Sequence, residues 1–119
     1  MTARAAGARW EEHARRELER AGLRPIAHNW HCRYGEIDLI MQDGEDVVFV
    51  EVRYRAKTAH GDGLASVGSA KRERLVRSAE LFLAANPALA RRACRFDVVA
   101  IDGSDPPRFT WQRSAFEAL

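Results

Sequence analysis

Apolar and polar positions alternate along residues 36–41 and again along 47–54, the period-two signature of half-buried β-strands. In the first run Glu36, Asp38 and Ile40 fall on one face, and Ile37, Leu39 and Met41 on the other. In the second, Val47, Phe49, Glu51 and Arg53 share a face opposite Val48, Val50, Val52 and Tyr54. The Asp43-Gly44 dipeptide between the runs predicts a two-residue hairpin turn. A turn at Gly44-Glu45 sets Asp38 opposite Glu51, and one at Asp43-Gly44 sets Glu36 opposite Glu51. Either register leaves Asp38, Glu51 and Arg53 on one face. Carboxylates so close repel each other, and a cation between them is the natural compensation. Acids facing water from an edge hairpin are the competing reading.

The remaining pattern supplies the rest of the fold. Residues 9–21 carry Trp10, Ala14, Leu18 and Ala21 on one helical stripe, closed by Gly22. Glu11 and Glu17 flank that stripe on either side while Glu12 faces away, and helical geometry does not choose between the two flanking acids. A strand is expected at 26–31, then the hairpin, a polar loop at 56–63, and a second helix from 66 to 85 that stops before Asn86-Pro87. That helix buries Val67, Leu75, Ala79, Phe82 and Leu83 and carries Lys71, Arg72, Arg74 and Arg77 against one acid, Glu73. Strands follow at 96–101 and 108–112. The order α-β-β-β-α-β-β predicts an α/β fold, a central mixed sheet with helices packed on it, in a single domain spanning 1–119.

Composition narrows the setting. A chain of 119 residues, 46% hydrophobic and 30% charged, builds one core and not two. Its apolar runs are too short to cross a bilayer and its N-terminus lacks a signal peptide's apolar centre, so no membrane association is expected and the cytoplasm is the default location. Two cysteines, Cys32 and Cys94, form no Cys-x-x-Cys pair and read as reduced thiols. The net charge is only +2, but the nineteen basic residues include just two lysines, Lys57 and Lys71. Arginine grips phosphate bidentately, although GC-rich codons produce the same bias. His28, His31 and Cys32 lack the second ligand pair of a zinc site. Asp97 reads as a buried anchor or a rim residue, and Trp10, Trp30 and Trp111 as core.

The runs GEIDLI, VFVEVRYR, VGSAKRERL and CRFDVVA resemble the YraN-like family of uncharacterised bacterial proteins, over a span from Trp10-Glu11 to Trp111 and Ala115-Phe116. That family in turn looks like the restriction-endonuclease-like (PD-(D/E)XK) fold, in particular its Holliday-junction-resolvase branch. The resemblance implies a three-layer fold and a metal-dependent nuclease-like protein that binds and cleaves structured or branched DNA. It puts the catalytic acids at Glu11, Asp38 and Glu51, with the Glu-x-Lys motif represented by Glu51-Val52-Arg53. Asp38, Glu51 and the carbonyl of Val52 would bind Mg²⁺ or Mn²⁺, and Glu11 would reach the ion through water. Beside such a site Glu36 reads as an auxiliary acid or a solvated side chain, and Lys71, Arg72 and Arg74, with Arg77, as a clamp for the nucleic-acid backbone or a solvated helix face. Resolvases of this fold act as dimers, so a homodimer is implied as well. One departure matters. Arg53 stands where the pattern has lysine, and a guanidinium cannot serve as a general base. The alternative expectation is therefore a nucleic-acid-binding protein that keeps the fold without cleaving, and a third is an interaction domain with no nucleic-acid role.

Overall fold

The computed structural model describes residues 3–55 and 67–117. The elements run α1 (Ala3–Arg20), β1 (Arg24–Cys32), β2 (Gly35–Asp43), β3 (Asp46–Arg55), α2 (Ser69–Ala85), α3 (Pro87–Ala90), β4 (Cys94–Asp102) and β5 (Phe109–Phe116). The five strands form one sheet in the order β1-β2-β3-β4-β5. Every neighbouring pair is antiparallel except β3 with β4, whose parallel pairing spans Val47↔Cys94 to Arg55↔Asp102. Parallel neighbours need a crossover, and the connection between β3 and β4 contains α2. The result is a mixed sheet between helices, a three-layer α/β domain.

The expectation of a single core is corrected: each face of the sheet has its own, because a sheet covered by helices on both sides buries two apolar layers. Ala14 and Leu18 of α1, with Leu23, pack on Leu39, Met41, Val48, Val50, Val99 and Ile101. On the opposite face Leu75, Val76, Ala79 and Phe82 of α2 cover Ile37, Ile40, Val47, Phe49, Phe96 and Val98. The alternation of β3 and β4 thus splits their side chains between two helices, which makes both strands apolar throughout their centres. The α1 helix ends where Gly22 adopts φ +103°. There the Leu23 N–H reaches the Leu18 carbonyl and the Gly22 N–H that of Glu19, the paired bonds of a Schellman motif.

The hairpin turn falls on Gly44-Glu45, between paired Asp43 and Asp46, with Gly44 at φ +60°. From that turn the β2–β3 ladder runs only to Leu39↔Val50. Beyond it β2 stays with β1 as far as Gly35↔Cys32, while β3 stays with β4 to its end. The sheet forks there. Alternation slips at the same point: Leu39 packs under α1, yet Ile37 joins Ile40 under α2, which corrects the assignment of Ile37, Leu39 and Met41 to one face. On the β1 partner the register shifts between Pro25 and Ala27 and then holds from His28↔Leu39 to Trp30↔Ile37, with the intervening Asn29 at φ +48°. Asparagine tolerates this left-handed conformation better than most residues.

Other differences from the sequence-based expectation are local. The α1 helix starts earlier, at Ala3, through an alanine-rich turn of high helix propensity. The second helix begins at Ser69, after Gly68 as an extended N-cap, later than the expected 66, and the expected loop at 56–63 lies outside the described residues. A short helix, α3, begins on Pro87, a residue suited to a first helical turn. The last strand extends past 112 to Phe116 because Asp97 holds it. Asp97 is 1% exposed and accepts bonds from Trp111 Nε1 (2.9 Å), the Ser114 N–H (2.9 Å) and Arg95 Nε (3.1 Å). Ser114 sits at φ +49° beside a register shift between Phe96 and Val98, so Asp97 satisfies backbone that the irregular ladder leaves open. Of the readings open from sequence, the anchor is the correct one. Among the described residues no helix is long and apolar enough to cross a membrane.

Replacing Asp97 by alanine should lower unfolding free energy by about 3 kcal/mol, because it leaves two buried donors without their acceptor and Arg95 with Asp43 as its remaining counter-charge. Urea denaturation of the purified variant measures this. A loss below about 1 kcal/mol would mean that the Asp97 bonds do not hold β5.

Candidate functional site

The fork creates a donor that the sheet cannot use. Where β2 leaves β3, the Val52 N–H is taken by the side chain of Asp38, whose Oδ2 accepts it at 2.8 Å. Asp38 is thereby drawn into the gap, half-buried, beside acids from three other positions. Glu11 arrives from α1, with its Oε1 accepting a bond from Asn29 Nδ2 at 3.0 Å. Glu36 comes from the outer part of β2. Single carboxylate oxygens of Glu11, Glu36 and Asp38 all lie within 4.8 Å of one another, the one such group of potential ligands among the described residues. His28, His31 and Cys32 do not belong to it.

Glu51 completes the acidic cluster from β3, but it is held differently. Its side chain is 7% exposed, and Oε1 accepts a 2.6 Å bond from Lys71 Nζ, which reaches down from the first turns of α2. Glu36, Asp38, Glu51, Lys71, Arg74 and Ser78 line a common cavity of about 200 Å³. Lys71, Arg74 and Ser78 share one side of α2 because their spacings of three and four residues stack along a helix. Glu11 lies on the other side of this cluster, in the wall of a larger open cavity of about 710 Å³ between α1 and β1.

Crowding dominates the electrostatics. Burial, then the Glu51 charge, then Glu11 and Glu36 push the Asp38 carboxyl up to about 8, against the opposing pull of the Val52 N–H. Burial first and Glu36 second also raise Glu11, which shares a side-chain hydrogen bond with Asp38. A hydrogen bond between two carboxyl groups requires a proton on one of them. Without a cation, then, the cluster keeps a proton at neutral pH that isolated carboxylates would release.

The other residues singled out from sequence are distributed around this centre. Val52 turns its half-buried side chain into the α1 core while its N–H binds Asp38. Arg53 is half-buried on β3, paired with Ala100. Arg74 is exposed at the cavity mouth, whereas Arg72 is exposed on a different side of α2. Arg77 lies 3.6 Å from Glu73 on the outer surface. The choice that helical geometry left open is resolved: Glu11 faces the acids, Glu17 pairs with Arg20, and Glu12 pairs with Arg15 and Arg16. Two neighbours escaped notice in the sequence. Asn29 orients Glu11, and its signal was a strand-averse amide inside an otherwise strand-like run. Ser78 is buried in the cavity wall and accepts a bond from Cys32 Sγ at 3.2 Å, which nothing in its helical setting advertised.

Comparison with known proteins adds a family. A family model described as "Uncharacterised protein family UPF0102" matches residues 10–101, a span that includes every acid of the cluster and Lys71. A UPF0102 protein from Ectopseudomonas mendocina is 55% identical over 105 residues, covering 88% of each chain. One from Xanthomonas campestris pv. campestris is 56% identical over 110 residues, 92% of this chain and 89% of its own. One from Pseudomonas aeruginosa is 51% identical over 115 residues, 94% of this chain and 92% of its own.

The raised Asp38 value carries a sign. In the unfolded chain this carboxyl loses its proton near its ordinary value of 3.8, while the folded protein keeps it up to about 8. The native state thus binds more protons through that window, and metal-free stability should fall as pH rises from about 4 toward 8, by on the order of 5 kcal/mol. Asp38→Asn, which retains an acceptor for the Val52 N–H, should flatten this fall and be the more stable protein at about pH 8. Urea unfolding in EDTA across that range reads both slopes, and identical slopes would remove Asp38 as their source.

Proposed function

The chain belongs to the uncharacterised protein family UPF0102, and we propose that it is a divalent-metal-dependent, nuclease-like protein of restriction-endonuclease-like type. Its substrate class is structured or branched nucleic acid, in the first instance DNA, and its reaction is phosphodiester hydrolysis. The observation that carries this reading is the meeting of Glu11, Glu36, Asp38 and Glu51 at the sheet fork, next to Lys71 and Arg74.

The donor set fits the ion. Carboxylate oxygens are the hard ligands that Mg²⁺ and Mn²⁺ prefer, and a cation offsets the burial and the repulsion that together raise the Asp38 carboxyl. Glu36, Asp38 and Glu51, with the carbonyl of Val52, would hold it, and Glu11 would bind it directly or through water. When bound, such an ion supplies Lewis acidity toward a phosphate oxygen and lowers the pKa of an attacking water. The chain's own residues do the rest. Asn29 fixes Glu11, and the Val52 N–H fixes Asp38, so both carboxylates are oriented before any substrate arrives. Lys71 and Arg74 bring positive charge to the cavity that would receive a phosphate. A guanidinium, as at Arg53, takes no proton from water and leaves that step to other groups. Paired cuts across a branch would need a second copy of the site, so a homodimer is part of the proposal.

A second reading, a nucleic-acid binder that keeps the fold without cleaving, is favoured by Arg53 in the lysine position. Incubation with labelled plasmid, flap and four-way-junction DNA, in Mg²⁺, Mn²⁺ or EDTA, separates the two. Cation-dependent cleavage should fall by on the order of 10³-fold in Asp38→Ala and Glu51→Ala, and by roughly 10–100-fold in Glu11→Gln. Salt-sensitive binding without cleavage under any cation would establish the second reading instead. Neither binding nor cleavage would end both.

A further inference from the structure

The ion pair between Lys71 and Glu51 is the least ordinary contact in the site. Glu51 is almost fully covered and Lys71 is 44% exposed, with 2.6 Å between Nζ and Oε1. The other acids of the fork converge on one another, within 4.8 Å, and Glu51 stands outside that group even though its charge helps raise Asp38. Glu51 is therefore held by a lysine ammonium at 2.6 Å, whereas Glu36 has the His31 imidazole at 3.8 Å.

The geometry points to Lys71 as an internal cation that occupies Glu51 in the metal-free protein and hands it over when a divalent ion binds. This rests on the metal-binding reading above and adds to it an order of events at the same site. A buried carboxylate cannot stay unpaired without a large desolvation cost, so Glu51 needs a partner in both states. Lys71 can be that partner reversibly because its head lies at the cavity mouth on a long flexible stem, free to swing into water. Once Glu51 turns to the ion, the ammonium is released into the cavity that Arg74 also lines, where a phosphate oxygen is the chemically matched acceptor. Metal binding would then create the phosphate contact, coupling the two ligands. Lys71 is in this sense a positioning residue for Glu51.

The rival explanation is simple charge repulsion: any lysine near a cation site weakens it. A double-mutant cycle tells these apart. Mg²⁺ affinity is measured by titration calorimetry, in the absence of nucleic acid, for the native chain, Lys71→Met, Glu51→Gln and the double variant. Folding of each is checked by circular dichroism. If Lys71 competes for Glu51, Lys71→Met should bind Mg²⁺ roughly tenfold more tightly than the native chain, and the gain should vanish in the Glu51→Gln background. Lys71→Arg, which keeps a cation on Glu51, should stay near native affinity and covers the case in which methionine is not tolerated. An equal gain with and without Glu51, or no gain, overturns the exchange while leaving the metal reading standing. A native chain that binds neither Mg²⁺ nor Mn²⁺ overturns both.

Discussion

The site depends on one constraint: backbone donors at a forking sheet must still be satisfied. Where β2 and β3 separate beyond Leu39↔Val50, the Val52 N–H loses its ladder partner, and a buried amide without an acceptor costs as much as a lost hydrogen bond. Asp38 supplies that acceptor. In doing so its carboxylate is carried into a half-desolvated gap that Glu11, Glu36 and Glu51 also reach, and the repulsion among them follows from this placement. Structural need and chemical potential thus meet in the same atom.

The two-sided core makes the fork possible. Because α1 and α2 cover opposite faces, side chains of β2 and β3 are claimed from both directions, and the strands can part without exposing either core to water. The parting lets groups from both helical layers approach the same gap: Glu11 through Asn29 on one side, Lys71 and Arg74 on the other. A flat, fully paired sheet would keep these layers about 10 Å from each other's chemistry. Asp97 plays the corresponding part on the far side of the sheet, a buried acid that satisfies an irregular ladder. Its charge is matched by Arg95 and two neutral donors, so it has no electrostatic need of a further ion. The contrast between Asp97 and Asp38 separates an anchoring acid from a candidate ligand on physical grounds.

The cations divide in the same way. Arg15, Arg16, Arg20 and Arg77 pair with acids three or four residues away on the solvent side, where such pairs add little to stability. Lys71 departs from that pattern by reaching across elements to a buried partner. It is also one of only two lysines in the chain, and a flexible ammonium can exchange partners in a way that a bidentate guanidinium resists. This gives an arginine-rich protein a reason to carry a lysine at that point.

Much of the fold was legible in the residues. Strand alternation, the Asp-Gly turn, Gly22 and Asn86-Pro87 set the elements and their order, since these signals depend only on local backbone preference and on the period of the pattern. The hairpin turn also sets Asp38 near Glu51, because hairpin register is a local property, although the ladder ends at Leu39↔Val50, one pair short of them. Which flanking acid of α1 faces the sheet, the slip that sends Ile37 to the opposite core, and the reach of Lys71 to Glu51 could not be read that way. Each depends on how α1, α2 and the forked strands settle against one another, and side-chain contacts 18 and 20 residues apart leave no periodic trace. The chain's pattern by itself determined the elements and the acids available; tertiary packing decided which of them meet, because only packing sets which face of a helix loses water.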